Sequence, residues 1–376
     1  MKDKFFDLLR PYTDRLTFVT LRPNASLGLR DYRVPKKGLD VPVKTTDMAE
    51  RIKNHQENEV INIPMIIIGI GYILGIDSVF PYKERYIDLI KASEIPVAQI
   101  WMAEAVKHQK EECYEESFIY ARSLLLMEPQ NDYALLMAGI SAYQIASTMD
   151  FKAPVRKLLM TESLNNLETL YEEQVENPMI NYYLGMIYRE NKTYTKAMNI
   201  WEASKKLDMS EEEKAMLTKQ MDVVRDLAAY ENGYQLVLRG EGKEGLKALT
   251  PLLPRHPKWW NLNFFVGLAY EQVGDSVNAL EHYKKVIEEK GFHEETYLQM
   301  AGIYMELNEA AKALSLMEEL LSRDSQNVEL KCQTALVAHS ALQREKAKQL
   351  MAEVEKSDPE HKMLQMVKQQ IQALSY

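Results

Sequence analysis

A chain of 376 residues, 46% apolar and 27% charged, is long enough for two or more ordinary domains or one long repeat array, and too apolar to stay disordered. A formal charge of −9 repels phosphate backbones, so nucleic-acid binding is not expected. With 14 prolines, 15 glycines and little alternation of β-branched residues, helix is favoured over sheet.

Residues 1–60 hold twelve Lys and Arg against nine Asp and Glu, a net +3, which leaves −12 for the rest. A basic head on an acidic body hints that the two touch. The opening "MKDKFFDLLRPY" has no apolar h-region, so no signal peptide is expected and a cytoplasmic location is. Within the head, "KFFDLLRPY" reads as a short helix and "LTFVTL" has β-branched character. "RPNASLGLRDYRVPKKGLDVPV" reads as a loop or extended arm, and Asp47 with Glu50 as a cap pair opening a helix to about His55. Too few apolar residues lie on any one of these elements to form a separate core, so the arm is expected to pack on the remainder of the chain.

Residues 61–76, "INIPMIIIGIGYILGI", are the most apolar stretch. A membrane span needs about 20 such residues, and Asn62 and Pro64 interrupt this one, so it reads as a buried helix. Its "GIGYILG" has glycines spaced for close helix packing rather than for a nucleotide.

From there the sequence matches itself at a step of 34 residues. With Trp260 as position 1, Gly267, Tyr270, Ala279 and Tyr283 fall at positions 8, 11, 20 and 24. The unit from Glu294 gives Ala301, Tyr304, Ala313 and Met317, and the unit from Val328 gives Ala335, Ala338, Ala347 and Met351, with Pro359 at position 32. Earlier units begin at Asp226 (Gly233, Leu236, Gly245, Leu249), Pro178 (Gly185, Tyr188, Ala197, Trp201), Asp132 (Gly139) and Ala98 (Trp101, Ala105, Ser117, Ala121). A degenerate unit from Pro64 places Gly71 at position 8. Positions 4, 7, 8 and 11 share one face of a first helix, and 20, 24 and 27 share one face of a second. Small residues at 8 and 20 are expected to meet and let the two backbones approach, with large residues filling in around them. A single hairpin cannot bury its stripe, so the array is stable only as a row.

These residues resemble the tetratricopeptide repeat (TPR) family: bulky at 4, Leu-Gly or Leu-Ala at 7–8, Tyr at 11, Ala at 20, aromatic at 24, Pro at 32. The resemblance covers residues 98–361 and begins near 64. It implies an all-α fold, a right-handed α-solenoid of antiparallel helix pairs whose concave face, lined by first helices, binds a peptide or protein segment. The expected organisation is an N-terminal arm, 1–60, on a solenoid, 61–376. The solenoid comprises a degenerate unit 64–97, units 98–131, 132–177, 178–211, 226–259, 260–293, 294–327 and 328–361, and a capping helix 362–376 with Met363, Met366, Val367, Ile371 and Leu374 inward. Ser210 followed by Glu211, Glu212 and Glu213 opens an additional amphipathic stretch, so the first helix of the unit at 226 should be long. Pro251 should shorten or kink that unit's second helix.

No chemistry stands out. "GEGKEG", 240–245, is a literal G-x-G-x-x-G, but it follows a helical pattern and reads as a turn. The seven histidines (His55, His108, His256, His282, His293, His339 and His361) form no zinc spacing with Cys, Asp or Glu. Cys332 and His339 could share a helix face by coincidence, and Cys113 and Cys332 suit a reducing compartment. Nucleophile elbow and phosphate loop are both missing, and the Asn24 and Asn191 sequons carry no meaning without secretion. No catalytic residue, cofactor or metal is expected.

The best candidate site is the groove. In the family, first-helix positions 2, 5, 9 and 12 face the concave surface. Here they hold Tyr133, Leu136, Ile140 and Tyr143, then Met179, Tyr182, Met186 and Arg189. Further on come Tyr230 and Tyr234, then Phe264 and Leu268. The Lys/Asn/Arg set that grips C-terminal carboxylates is not there, so that function is disfavoured. Two readings stand: a Tyr/Met-lined groove for a partner's helix or extended segment, or residues covered by neighbouring repeats or by the arm. The expected function is a non-catalytic adaptor for a protein or peptide partner, without nucleic acid or membrane. The alternative is a peptide-gated TPR regulator of a signalling protein such as a response regulator, ranked lower because the head is short on helix. An enzyme with an unseen site ranks last.

Overall fold

The computed structural model describes residues 3–23, 27, 29, 32–53 and 62–373. His55, Asn24 and Leu374 lie outside them. Chain order begins with α1 (Phe6–Leu9), a 3₁₀ turn (Arg10–Arg15), β1 (Leu16–Leu21), β2 (Leu39–Lys44) and α2 (Thr45–Lys53). Helix pairs come next: α3 (Ile63–Ile76) with α4 (Lys83–Ala92), α5 (Val97–Lys110) with α6 (Tyr114–Met127), α7 (Asp132–Ser147) with α8 (Pro154–Glu172), and α9 (Pro178–Glu190) with α10 (Tyr194–Ser204). Beyond them lie α11 (Glu211–Leu238) with α12 (Gly242–Leu249), α13 (Trp260–Gln272) with α14 (Ser276–Lys290), α15 (Glu294–Glu306) with α16 (Ala310–Arg323), α17 (Val328–Ser340) with α18 (Arg344–Ser357), and a last helix, α19 (Lys362–Ala373). The fold is all-α, built of repeated antiparallel helix pairs, with one small strand hairpin.

Two compact units divide the chain, Met1–Asp222 and Val223–Tyr376, and the division falls inside α11. That helix is 28 residues long, as its opening predicts. Ser210 Oγ accepts from the Glu213 N–H at 3.2 Å while Glu213 Oε2 accepts from the Ser210 N–H at 2.8 Å, a reciprocal capping box. Past it, α12 stops at Leu249 and Pro251 sits in a 3₁₀ turn.

Six hairpins share one turn. Position 15 of each has a positive φ: Glu112, Lys192, Gly240, Gly274, Asn308 and Leu342. This left-handed residue lets the next N–H reach back over the helix end: Cys113 to the His108 carbonyl at 2.9 Å, Asp275 to Tyr270 at 2.9 Å, Glu309 to Tyr304 at 2.7 Å. The first helix thus ends in a Schellman motif that turns the chain into the second.

Small residues at positions 8 and 20 do not simply meet each other. Gly267 lies under the Tyr283 ring, Gly185 under Trp201, Gly139 under Leu167 and Gly233 under Leu249, so the glycine makes room for a large side chain on the second helix. Trp201 Nε1 then donates to the Tyr182 carbonyl at 3.1 Å. Both Trp201 and Tyr283 are fully buried, and each aromatic side chain covers ~150–250 Å².

In the first unit the apolar α3 is buried along most of its length. Its glycines do pack closely: Gly69 against the Pro42 carbonyl of β2, Gly71 against Trp101 of α5, Gly75 against the Ile119 carbonyl of α6. "LDVPV" is therefore not a loop but β2, paired antiparallel to β1 with Leu16 opposite Lys44 and Leu21 opposite Leu39. Leu39, Val41 and Val43 do alternate with Asp40, Pro42 and Lys44, but Pro42 and the preceding turn residues make the segment read as a loop. Helix α2 begins at Thr45, ahead of the proposed Asp47 cap. Phe5 meets Phe118 edge-on at 5.2 Å, and the Asp3 carboxylate accepts from Arg122 Nη2 at 2.6 and 2.7 Å, with Ser78 alongside. Burial would raise the Asp3 pKa, but Arg122 and these donors hold it below the usual value.

Candidate functional site

The twelve predicted groove residues do not share one environment. Tyr133, at the start of α7, is 70% exposed. Leu136, Met179, Tyr182, Met186, Arg189, Tyr230, Tyr234, Phe264 and Leu268 are half-buried. Ile140 and Tyr143 are buried, at 6% exposure each, and offer no surface. The reason is a contact between hairpins: Tyr143 packs edge-on to Tyr183 of α9 at 5.4 Å and donates to Glu190 Oε1 at 2.9 Å. Glu190 also pairs with Arg156 of α8, so three helices converge there. Burial and the Glu190 carboxylate both raise the Tyr143 pKa, so this phenol stays a donor.

Sequence reasoning offered no groove residues from α5, yet an opening of the first unit lies on it. A cavity of about 810 Å³ runs along the helix. Ala98, Met102 and Val106 give it an apolar, half-buried floor, and Leu124 and Tyr133 close one side. Lys107, Lys110 and Glu111 stand at one end. Met102 and Val106 are positions 5 and 9 of the unit from Ala98, so the rule that chose the other residues reaches these as well. Position 12, Gln109, is spent on a ladder between hairpins. Its Nε2 donates to Gln144 Oε1 at 2.6 Å, Gln144 Nε2 donates to the Tyr183 hydroxyl at 3.3 Å, and Ser141 donates back to Gln109 Oε1 at 3.0 Å. That ladder holds α5, α7 and α9 in register beside the cavity.

In the second unit, the half-buried aromatics form a cluster of their own. Tyr230 lies 5.3 Å from Tyr234 and 5.9 Å from Trp259, which stacks on His256 at 3.9 Å. Burial, with the neighbouring Tyr234 next, lifts the Tyr230 pKa to about 12. Phe264 packs on Tyr283 and His293. These contacts are made within the unit and leave the rings half-buried.

The hairpin is thus fixed in three respects: a left-handed residue at position 15, a small residue at 8 lying beneath a large one on the second helix, and partially open faces at 5 and 9. These features are in keeping with the tetratricopeptide resemblance of the sequence. No family model and no curated protein matches the chain. Among solved structures it is similar to the C-terminal part of a TPR repeat-containing protein from Cytophaga hutchinsonii, at 14% identity over 71% of this chain and 98% of that one, with a TM-score of 0.41. It is similar also to PilW, a type IV pilus biogenesis factor (15% identity, 61% and 97% covered, TM-score 0.38). A third is a tetratricopeptide repeat protein from Parabacteroides merdae (12%, 73% and 98%, TM-score 0.31). At those scores the likenesses add nothing to what the hairpins themselves establish. No helix among the described residues is long and apolar enough to cross a membrane.

The hairpin turn also explains "GEGKEG": it comes after α11, a helix and not a strand, and Gly240 takes the position-15 turn at φ +83°. Histidine spacing was the poorer guide. Donor atoms of His108, Glu111 and Cys113 lie within 4.8 Å of one another, a juxtaposition made by the Schellman turn at Glu112 rather than by a motif. Cys332 and His339 share α17, but Cys332 is fully buried, which pushes its thiol pKa up.

Proposed function

We propose that the protein is an adaptor that holds a short segment of a partner protein along α5. The observation that carries this reading is the cavity on that helix, apolar along its floor and cationic at one end. Ala98 and Lys110 are twelve residues apart, so the floor is about 18 Å long. An extended segment of about five or six residues spans that distance. Such a shape suits a linear segment with apolar side chains along its length and an acidic residue near Lys107 and Lys110. Met102 supplies adaptable contact area, and Tyr133 a large ring at low entropic cost. The Gln109–Gln144–Tyr183 ladder supports the reading, because it spares the segment the cost of ordering the three helices.

Selection of short random peptides displayed on phage tests this function. The enriched peptides should be apolar with an acidic end, and Met102→Glu should weaken them about 10-fold or more, since it puts a charge on an apolar floor. Failure to enrich any peptide, or peptides indifferent to Met102→Glu, would refute it.

A further inference from the structure

The geometry points to a metal site of the zinc type formed by His108, Glu111 and Cys113 at the turn from α5 to α6. Helix α5 delivers His108 in its last turn, Glu111 is its C-cap, and Cys113 is the N-cap of α6. The left-handed Glu112 between them, at φ +58°, folds Cys113 back so that its N–H meets the His108 carbonyl at 2.9 Å. The backbone therefore fixes the three residues together whether or not an ion is bound, and their ligand atoms lie within 4.8 Å of one another.

The surroundings of His108 give a second, separate argument. Glu104 Oε2 lies 3.6 Å from His108 Nε2, the ring nitrogen opposite the one beside Glu111. With the proton on Nε2, toward Glu104, the Nδ1 lone pair is open to an ion, the arrangement in which a metal-bound histidine is oriented by a carboxylate behind it. His108 Nδ1 is buried without a hydrogen-bond partner and lies 3.5 Å from Glu111 Oε2. A buried imidazole nitrogen beside a carboxylate, without a hydrogen bond of its own, lacks what a cation would supply.

Imidazole nitrogen, carboxylate oxygen and thiolate sulfur together suit zinc, and three protein ligands leave its fourth position to water. Bond lengths of about 2.0–2.3 Å bring tetrahedral ligand atoms to about 3.5 Å from each other. Glu111 is exposed and Cys113 half-buried, so both have room to make that closure. On binding, the Cys113 thiol gives its proton to solvent and the thiolate forms the metal–sulfur bond, while Glu111 and neutral His108 bind without further proton loss. Glu111 also borders the cavity on α5. An ion that engages its carboxylate withdraws the one negative charge from the cationic end of that cavity.

The test is a Co²⁺ titration of the full chain, without a histidine tag, monitored by absorbance. A bound site of this kind gives a thiolate-to-cobalt charge-transfer band and is displaced by Zn²⁺. Cys113→Ser should abolish the band, and Glu104→Gln, which touches no ligand atom, should weaken Co²⁺ binding about 10- to 100-fold. Zn²⁺ should also protect Cys113 from alkylation, with the buried Cys332 as internal reference. Helicity measured alongside separates lost ligands from lost folding, and the exposed Glu111→Gln gives a variant whose folding is unaffected. Absence of the band in the parent chain, or a band that persists in Cys113→Ser, would overturn the assignment.

Discussion

Two Gly→Ala substitutions at neighbouring positions of consecutive hairpins should have opposite signs. At Gly267 an added Cβ would stand 2.7 Å from Cε1 and 2.8 Å from Cδ1 of Tyr283. Comfortable carbon–carbon contact is about 3.5–4.0 Å, so the ring would have to retreat by about 1 Å. It has nowhere to go: Tyr283 is fully buried, its hydroxyl donates to Glu271 Oε2 at 2.8 Å, and Phe264 packs on its ring. Overpacking of this kind costs about 1–3 kcal/mol, and weakening the hydrogen bond adds about 1 kcal/mol. Better helix propensity returns about 1 kcal/mol, leaving Gly267→Ala destabilised by about 2 kcal/mol. At Gly302 an added Cβ meets nothing within 4 Å, so only the propensity gain remains and Gly302→Ala should be stabilised by about 1 kcal/mol. Urea titrations read by far-ultraviolet circular dichroism, compared by midpoint, measure the difference. Equal midpoint shifts for the two variants, or a stabilised Gly267→Ala, would refute the packing argument for position 8.

Three further outcomes concern single residues. Leu342 holds a left-handed φ of +62° with its side chain 80% exposed, so Leu342→Gly should raise stability by about 1 kcal/mol; a lower unfolding midpoint would contradict this. Burial, with Lys285 next, lowers the His282 pKa to about 4, while its Nδ1 lies 2.8 Å from Asn263 Oδ1. Above the unfolded value of about 6.5 neither state is protonated and stability is full; as pH falls from about 6.5 to about 4 only the unfolded chain takes the proton, so about 3 kcal/mol is lost. His282→Gln should flatten that acid limb, and an unchanged slope would count against the assignment. Arg122→Met leaves the buried Asp3 carboxylate without its cation and should cost about 3 kcal/mol or more in the first unit, read as earlier urea unfolding of the strand hairpin by hydrogen exchange.

The repeat was legible because it is written in steric terms. A Gly or Ala at 8 recurs where the hairpin needs space, and 34-residue self-similarity exposes it, whereas the left-handed residue at 15 is Leu342 or Glu112 as readily as Gly and shows only in the backbone. What was misread depends on contacts distant in sequence. Residues 39–44 look like a loop until α3 presents Gly69 to the Pro42 carbonyl. Ile140 and Tyr143 carry the period of a groove face, but α9 brings Tyr183 and Glu190 over them. The open floor at Met102 and Val106, by contrast, follows from the same positional rule, at positions 5 and 9 of the unit from Ala98. The His108–Glu111–Cys113 cluster has no motif spacing at all; only the handedness of one turn residue assembles it.

Whether α5 carries a binding face can be decided in the native cell. A photo-reactive amino acid is placed at position 102 and, separately, at the exposed Leu158 of α8. Position 102 should yield a discrete crosslinked protein that an enriched groove peptide competes away, while position 158 should not. Identical crosslinking at both positions, or none at 102, would show that α5 does not hold a partner.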